Sequence, residues 1–204
     1  MKAGKVILCD LGGVLIDLHW VEHARGLFGK DMAADELKAR WLNLKSVREF
    51  EAGNIDFQTF YQLFCKEANV KVPFDKFESE FTGIIGPVKA GCYEILDHLA
   101  GCGRLAMLSN TNYLHIDHLK QVSRIFAPFA DLFFSYELRM IKPDQQIFAA
   151  VTEKLGCSAS DILFFDDSQA NIDAAIRFGI NGFRVDSPQE IAKIVDARAK
   201  QGML

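Results

Sequence analysis

Three short apolar runs, each closed by polar residues, constrain the fold of this chain more than any other feature of its sequence. Each run is continuously apolar rather than alternating, which is typical of a strand buried on both faces of a parallel sheet. Amphipathic segments separate the runs, so we predict an α/β fold with a doubly wound parallel sheet and right-handed crossovers. The runs and their closing residues are 6–9 with Asp10, 105–108 with Ser109-Asn110, and 162–165 with Asp166-Asp167.

Weaker patterns complete the predicted sheet and its helical layers. Residues 132–134 and 182–185 are shorter apolar segments that we predict as two further strands. Apolar residues recur with helical spacing between the strands, and these segments are predicted as helices. The predicted helices of the core cover 88–100, 113–125, 144–155, 171–178 and 188–200.

The stretch 18–86 breaks the alternation of strands and helices. It contains no convincing strand, and turn signals separate some of its amphipathic segments. We therefore predict a small helical domain at 18–86, inserted after the first strand of a core domain formed by 1–17 and 87–204. The predicted helices of the insert are 33–44, 46–52, 56–68 and 74–84.

Phenylalanines are frequent in this insert and recur at helical spacing. A stripe of this kind faces the inside of a helical domain more often than it binds a ligand. We expect these side chains to form the insert's own apolar core: Phe50, Phe57, Phe60, Phe64, Phe74, Phe77 and Phe81.

Composition excludes several classes of protein. The 204 residues suffice for one α/β domain with a small insert. The chain has 23 Lys and Arg against 27 Asp and Glu, a net charge of −4, and no basic run, so we expect neither a nucleic-acid partner nor a membrane partner. No apolar stretch approaches the roughly 18 residues that span a bilayer.

The N-terminal residues and the cysteines favour a cytoplasmic protein. The first apolar run is too short for the core of a signal peptide and is stopped by Asp10. The five cysteines, at 9, 65, 92, 102 and 157, form no CxxC pair, which favours reduced thiols. The sequence is compatible with both a monomer and a homodimer.

The polar residues after the three strongest strands are expected to meet, because ligand sites in such sheets lie at the carboxyl ends of the strands. Asp10 can cap the strand end, ligate a metal or act as a nucleophile, and Gly12 and Gly13 let the following backbone turn tightly. Ser109 and Asn110 precede a predicted helix, where their polar groups either bind an anion or cap the helix.

Lys142 and the acidic pair Asp166-Asp167 add charges to this region. Lys142 precedes Pro143, which we expect in the first turn of a helix, and such a lysine is a surface charge unless the site needs a cation. Two adjacent acids at the end of a buried strand repel each other, and a bound cation would relieve this repulsion. Carboxylate oxygens without a nearby His or Cys favour Mg²⁺. A helix cap would explain one of the two acids, but not both.

Together these residues predict phosphoryl transfer to an aspartate. Asp10 would attack phosphorus and form an aspartyl-phosphate, which water then hydrolyses. Mg²⁺ would hold the phosphate against Asp10 and offset the repulsion between the two anions. Lys142 would keep Asp10 ionised, while Ser109 and the Asn110 backbone would bind phosphate oxygens.

The four segments around Asp10, Ser109, Lys142 and Asp166, in their order along the chain, resemble the four motifs of the haloacid dehalogenase (HAD) superfamily of hydrolases. The resemblance is to the subgroup with a helical cap after the first strand. The resemblance covers nearly the whole chain and implies a Rossmann-like core. The stretches 108–115 and 164–174 especially resemble the bacterial α-D-glucose-1-phosphate phosphatase type, which implies a small phosphoester substrate such as a hexose 1-phosphate. The motifs are Asp10-Leu11-Gly12-Gly13-Val14, Ser109-Asn110-Thr111-Asn112, Lys142-Pro143-Asp144 and Phe165-Asp166-Asp167-Ser168-Gln169-Ala170-Asn171.

The resemblance also implies roles for individual residues. Asp10 would be both the nucleophile and a magnesium ligand, and the Gly12 carbonyl would be a second ligand. Asp167 would coordinate the ion directly, and Asp166 would do so directly or through water.

One position departs from the family pattern. Family phosphatases usually carry a second Asp two positions after the nucleophile, as general acid and base, but this chain has Gly12 there. Such assistance is worth about 10²–10⁴-fold in rate. A sugar 1-phosphate has a good leaving group and needs less protonation, and Asp17, His19 or a substrate hydroxyl could assist.

Two alternatives to a phosphatase therefore stay open. One is a weakly active or non-catalytic protein that binds a phosphate ligand or a protein partner, against which the intact Asp10, Lys142 and acidic pair argue. The other is a metal-independent 2-haloacid dehalogenase, whose chemistry needs no such acid. The pair Asp166-Asp167 argues against this second alternative.

Overall fold

A five-stranded parallel sheet lies at the centre of the computed structural model, which describes residues 5–28 and 32–203. The first strand of the chain lies in the middle of this sheet. All three strong strand predictions and both weaker ones are confirmed. The strands are β1 Val6–Cys9, β4 Arg104–Ser109, β5 Asp131–Phe134, β6 Ile162–Asp166 and β7 Asn181–Arg184. Their order across the sheet is β5-β4-β1-β6-β7.

Helices cover both faces of this sheet, as the doubly wound prediction required. Ile7 and Cys9 face one layer, formed with the helices at 92–100, 113–122 and 188–200, whereas Val6 and Leu8 face the other, formed with the helices at 145–155 and 169–178. Burial on both faces explains why the strands are continuously apolar. The core helices are α6 Cys92–Ala100, α7 Tyr113–Val122, α8 Ser135–Leu138, α9 Gln145–Leu155, α10 Gln169–Phe178 and α11 Pro188–Lys200.

Three helix starts differ from the prediction, and the simplest case is α10, which begins at Gln169 rather than at residue 171. Helix α6 begins at Cys92 rather than at residue 88, because Val88 belongs to a strand. The expectation that Pro143 lies in the first turn of a helix is wrong, since α9 begins at Gln145 and Asp144 occupies its N-cap position. The motif that contains Lys142 is therefore a loop rather than a helix end.

The described part of the inserted segment, which leaves out residues 29–31, forms five helices around an aromatic core, and the predicted role of its phenylalanines is confirmed. Six of the seven predicted phenylalanines are buried, and Phe74 packs against them. Phe50 and Phe60 stack with their ring centroids 4.6 Å apart. The first of the five helices was not predicted. They are α1 Trp20–Phe28, α2 Ala34–Leu42, α3 Lys45–Glu51, α4 Phe57–Ala68 and α5 Phe74–Thr82.

A two-stranded antiparallel ribbon connects the insert to the core. It consists of β2 Ile16–Leu18 and β3 Ile85–Val88. The expectation of no strand within 18–86 is therefore wrong at its two ends. Both strands are too short for a periodic signal, and β3 contains Gly86 and Pro87, which are depleted in strands. The domain borders near 17 and 87 remain a prediction, and residues 1–4 and 204 lie outside the described residues.

Two further features bear on the expectations from composition. Among the helices formed by residues 5–28 and 32–203, none combines the length and the apolar character needed to cross a bilayer. All five cysteines are free thiols.

Candidate active site

The parallel sheet brings the predicted site residues to one edge. Asp10 follows β1 directly, Ser109 ends β4 and Asp166 ends β6. Because β1 pairs with both β4 and β6, Asp10 and Asp166 leave neighbouring strands at the same level, and Ser109 follows one residue further along β4. The site therefore lies where open α/β sheets place ligands.

Lys142 lies at the centre of this edge and is buried. Its Nζ is 2.8 Å from Oδ1 of Asp10 and 2.6 Å from Oδ2 of Asp166, and it donates to the Leu108 carbonyl at 3.0 Å. Burial disfavours the charge, but Asp10 and Asp166 outweigh this effect and raise the pKa of the Lys142 ammonium group. The lysine is thus a fixed cation within the site and not a surface charge.

Asp166 is fully buried and has a protein partner on each oxygen. Its Oδ1 accepts from the Ser168 backbone N–H at 2.8 Å and from Asn171 Nδ2 at 3.0 Å, while Oδ2 accepts from Lys142. Hydrogen bonds from several donors hold a carboxylate in one position. Asp166 therefore fixes the position of Lys142.

Three carboxylates lie close together beside Lys142. One oxygen from each of Asp10, Asp166 and Asp167 lies within 4.8 Å of the others. Burial raises the pKa of Asp10 to about 7, with Lys142 opposing the shift and Asp166 adding to it. Burial and the charge of Asp166 also raise the pKa of Asp167. The cluster carries more negative charge than one lysine can balance.

The donors of this cluster suit a hard divalent cation. Hard carboxylate and carbonyl oxygens are the ligands that Mg²⁺ takes in proteins. Asp167 is only partly buried, and its Oδ2 lies so close to Gly13 that a Cβ there would be 2.6 Å away. Gly13 has φ +76°, so it provides both the tight turn and the room for this carboxylate. The residues present therefore fit the predicted magnesium ion.

Asn110 has a role that the sequence did not indicate. Its Nδ2 donates to the Lys142 carbonyl at 2.9 Å, and its Oδ1 accepts from the Lys142 backbone N–H at 2.8 Å. The Asn110 side chain thus positions the lysine loop. Ser109 is buried, and its hydroxyl makes only a long contact of 3.5 Å with the Asn110 carbonyl, which leaves it available to a ligand.

Gly12, which occupies the position where family phosphatases usually carry an Asp, lies beside the apolar side chain of Leu18. A Cβ built on Gly12 would lie 3.2 Å from Cδ1 of Leu18. The backbone of Gly12 forms a bridge with Ile16 in the turn that leads into β2. This turn therefore supplies backbone groups to the site and no titratable side chain at position 12.

His115 joins the inserted domain to the core. Its Nδ1 accepts from Asn112 Nδ2 at 3.0 Å, and its Nε2–H donates to the Phe81 carbonyl at 2.9 Å. The ring also stacks on Phe81 with the centroids 4.6 Å apart. Burial lowers the pKa of His115 to about 4, so the ring is neutral near pH 7.

Sequence reasoning missed two further residues beside the site. Ser135 is buried, and its hydroxyl oxygen accepts from the Thr111 backbone N–H at 2.9 Å and lies 2.6 Å from the Glu51 carbonyl. Glu51 belongs to the insert, and burial raises the pKa of its carboxyl to about 7 against the positive charges of Lys142 and Arg48. Asn171, by contrast, stood within the fourth motif, five residues after Asp166, and was open to prediction.

A parallel sheet with an acidic cluster at its strand ends and a helical insert after its first strand defines a class of hydrolase. The model of the haloacid dehalogenase-like hydrolases matches residues 5–179, so the chain belongs to this family. Its helical insert corresponds to a cap, and the insert is called the cap below.

Solved structures with the same fold include two close in size. The HAD family enzyme BT-2542 of Bacteroides thetaiotaomicron, as wild-type protein in complex with magnesium and inorganic phosphate, is 26% identical, with a TM-score of 0.71 over 89% of this chain and 94% of that chain. A predicted HAD-like family hydrolase from Porphyromonas gingivalis is 25% identical, with a TM-score of 0.73 over 90% and 91%.

A dehalogenase also shares the fold. The L-2-haloacid dehalogenase of Xanthobacter autotrophicus is 18% identical, with a TM-score of 0.64 over 89% of this chain and 77% of that chain. At this identity the likeness concerns the fold alone.

Proposed function

We propose that this HAD-like hydrolase is a magnesium-dependent phosphatase that hydrolyses a small phosphorylated metabolite through an aspartyl-phosphate on Asp10. The arrangement of Lys142 between Asp10 and Asp166, with Asp167 alongside, carries this proposal. The complex of BT-2542 with magnesium and inorganic phosphate supports it, because that protein shares the fold and about a quarter of its residues with this chain.

Three groups would hold the magnesium ion. They are the Asp10 carboxylate, the Gly12 carbonyl and the partly exposed Asp167 carboxylate. When bound, Mg²⁺ offsets the negative charge of the phosphate that approaches Asp10. Asp166 already accepts hydrogen bonds on both oxygens, so we assign to it the positioning of Lys142 and an approach to the ion through water.

The remaining groups would bind and activate the phosphate. The Asp10 carboxylate attacks phosphorus, and the bond to the leaving oxygen breaks as the aspartyl-phosphate forms. Lys142 holds Asp10 in place and balances negative charge on the transferred group. The Ser109 hydroxyl and the Asn110 backbone bind phosphate oxygens, and water then hydrolyses the acyl phosphate.

The proposed substrate is a sugar phosphate such as a hexose 1-phosphate. This choice rests on the resemblance of 108–115 and 164–174 to glucose-1-phosphate phosphatases, and on the better leaving group of a sugar 1-phosphate at a site with Gly12. A cytoplasmic location and the lack of nucleic-acid partners stay predictions from composition.

Phosphate release from an aryl phosphate, measured with and without Mg²⁺, tests the proposed function. The wild-type protein should release phosphate only with the metal, and Asp10→Asn should reduce kcat by at least roughly 10³-fold. A panel of phosphorylated metabolites would then define the substrate. Chloride release from a 2-haloacid without metal would instead establish a dehalogenase, and ligand binding without turnover would establish a binding protein.

A further inference from the structure

We infer that Glu51, carried to the active site by the cap helix α3, is the general acid and base that position 12 lacks. This inference rests on the proposed phosphatase function. It assigns a catalytic role to a cap residue whose charge the proposed phosphoryl transfer does not otherwise use.

The C-terminal end of α3 is clamped to the rim of the active site. The Glu51 carbonyl lies 2.6 Å from the Ser135 hydroxyl, which also contacts the backbone of Thr111, two residues after Ser109. Arg139 donates to the Gly53 carbonyl at 2.9 Å. Residues that are more than 80 positions apart in the chain are therefore held together at this rim.

A second contact shows which face of the helix is turned towards the core. Arg48 forms an ion pair with Asp144, which is two residues after Lys142. Glu51 follows Arg48 by three residues in α3, so the two side chains lie on the same face of the helix. The end of α3 that carries Glu51 thus contacts the loop of Lys142 through Arg48, and it contacts the loop of Ser109 through Ser135.

The side-chain carboxylate of Glu51 is unpaired within the described part of the chain. Among the described residues it makes no hydrogen bond and no ion pair, although it is only partly exposed. Lys142 and Arg48 are the charges that act on it, and Arg48 is already paired with Asp144. A partly buried carboxyl without partners suits a group that exchanges a proton with a ligand. Because burial raises its pKa to about 7, both of its protonation states are populated near neutral pH.

The proton transfers balance over one turnover. Protonated Glu51 donates its proton to the leaving oxygen as the Asp10 carboxylate forms its bond to phosphorus and the alcohol departs. The Glu51 carboxylate then takes a proton from the water that attacks phosphorus of the aspartyl-phosphate. Phosphate leaves, the Asp10 carboxylate is restored and Glu51 is protonated again.

Leaving-group dependence tests this role, because a poor leaving group needs protonation and a good one does not. The test compares kcat/KM of Glu51→Gln with that of wild type on an alkyl phosphate and on an aryl phosphate. For Glu51→Gln we expect kcat/KM to fall by about 10²-fold or more on the alkyl phosphate and by less than about 10-fold on the aryl phosphate. Wild-type kcat/KM should decline above pH 7 as Glu51 loses its proton, and this decline should be absent in the variant. Glu51→Asp should recover part of the alkyl rate.

The matched control is Glu78→Gln on the exposed face of the cap helix α5, which should change neither rate. Folding is followed by thermal unfolding, and Glu51→Gln should be at least as stable as wild type above pH 7, since it removes a charge that burial disfavours. Equal losses on both substrates, or an unchanged pH profile, would overturn the role of Glu51. Failure of the wild-type protein to hydrolyse any phosphoester would overturn the proposed function instead.

Discussion

The core and the cap of this protein use opposite means to hold their interiors together. At the strand ends of the core, buried charges hold one another, as Lys142 does with Asp10 and Asp166. In the cap, the interior is made of stacked aromatic rings such as those of Phe50 and Phe60. The difference shows that the rigid sheet carries the charges needed for chemistry, whereas the cap provides a packed cover that brings few charges to the site.

The two regions meet through polar contacts. His115 of the core donates to the Phe81 carbonyl of the cap, and Ser135 lies against the Glu51 carbonyl. The ion pair of Arg48 and Asp144 is a third link. Variants in the core, in the cap and at these links should therefore have separable effects on activity and on stability.

The largest effect is expected from removal of the buried cation. Lys142→Met leaves Asp10 and Asp166 without their partner, and breaking a buried pair in this way costs about 3–5 kcal/mol. Urea unfolding should show this loss, and phosphate release should vanish. The control Lys76→Met, at an exposed position of the cap, should leave both unchanged. If Lys142→Met is as stable as wild type, the charges do not hold this part of the core together.

A pH-dependent loss of stability is expected at the link between core and cap. His115 has a pKa of about 4 in the folded protein and an ordinary value near 6.5 when unfolded, so only the unfolded chain binds this proton between these pH values. Stability that depends on neutral His115 is present above pH 6.5 and is lost as the pH falls to 4, by about 3 kcal/mol.

The variant His115→Gln isolates this contribution. Its free energy of unfolding should be lower than that of wild type at pH 7. The difference between the two free energies should become smaller as the pH falls towards 4. Glu51, whose carboxyl pKa is raised, changes the free energy of unfolding in the opposite direction between about pH 4.5 and pH 7. The variant is therefore compared with wild type at each pH, because both proteins contain Glu51. A gap that is independent of pH would contradict a buried neutral His115.

A smaller effect is expected within the aromatic core of the cap. Phe60→Leu removes ring contacts from a fully buried position and should lower the free energy of unfolding by roughly 1 kcal/mol. Phosphate release at saturating substrate should stay close to wild type, because the charges of the core are untouched. A loss of turnover as large as that of Lys142→Met would break the proposed separation between the two regions.

The smallest effect is expected from the exposed link. Arg48 and Asp144 are each about half exposed, with side-chain values of 50% and 46%, so solvent screens their attraction. Arg48→Ala should cost no more than about 0.5 kcal/mol in urea unfolding at moderate salt. A loss above about 2 kcal/mol would show that this ion pair clamps the cap rather than merely lying at its edge.

The sequence was informative where burial dictates residue type. The runs that form β1, β4 and β6 are continuously apolar because both faces of the sheet are covered. The polar residues that follow each run therefore stood out in the sequence as candidate site residues. The phenylalanines of the cap were recognisable for the same reason. Short elements without such a signal, such as the ribbon of β2 and β3, were not predicted.

The details of the site depend on contacts that the sequence cannot display. Nothing in the order of residues indicates that the Asn110 side chain binds the backbone of Lys142, or that both oxygens of Asp166 have donors. Glu51 acquires its position from contacts with Ser135, which lies 84 residues away in the chain. Such positions follow from tertiary packing and require the structure.

The central claim of this account is that Asp10 carries the phosphoryl group between two chemical steps. Wild-type protein can be mixed with Mg²⁺ and an aryl phosphate, quenched in acid within the first turnover and mapped by peptide mass spectrometry. The account predicts one phosphoryl group on the peptide that contains Asp10, and none in Asp10→Asn. Phosphate release without any phosphorylated peptide, or with the phosphoryl group on another residue, would contradict it.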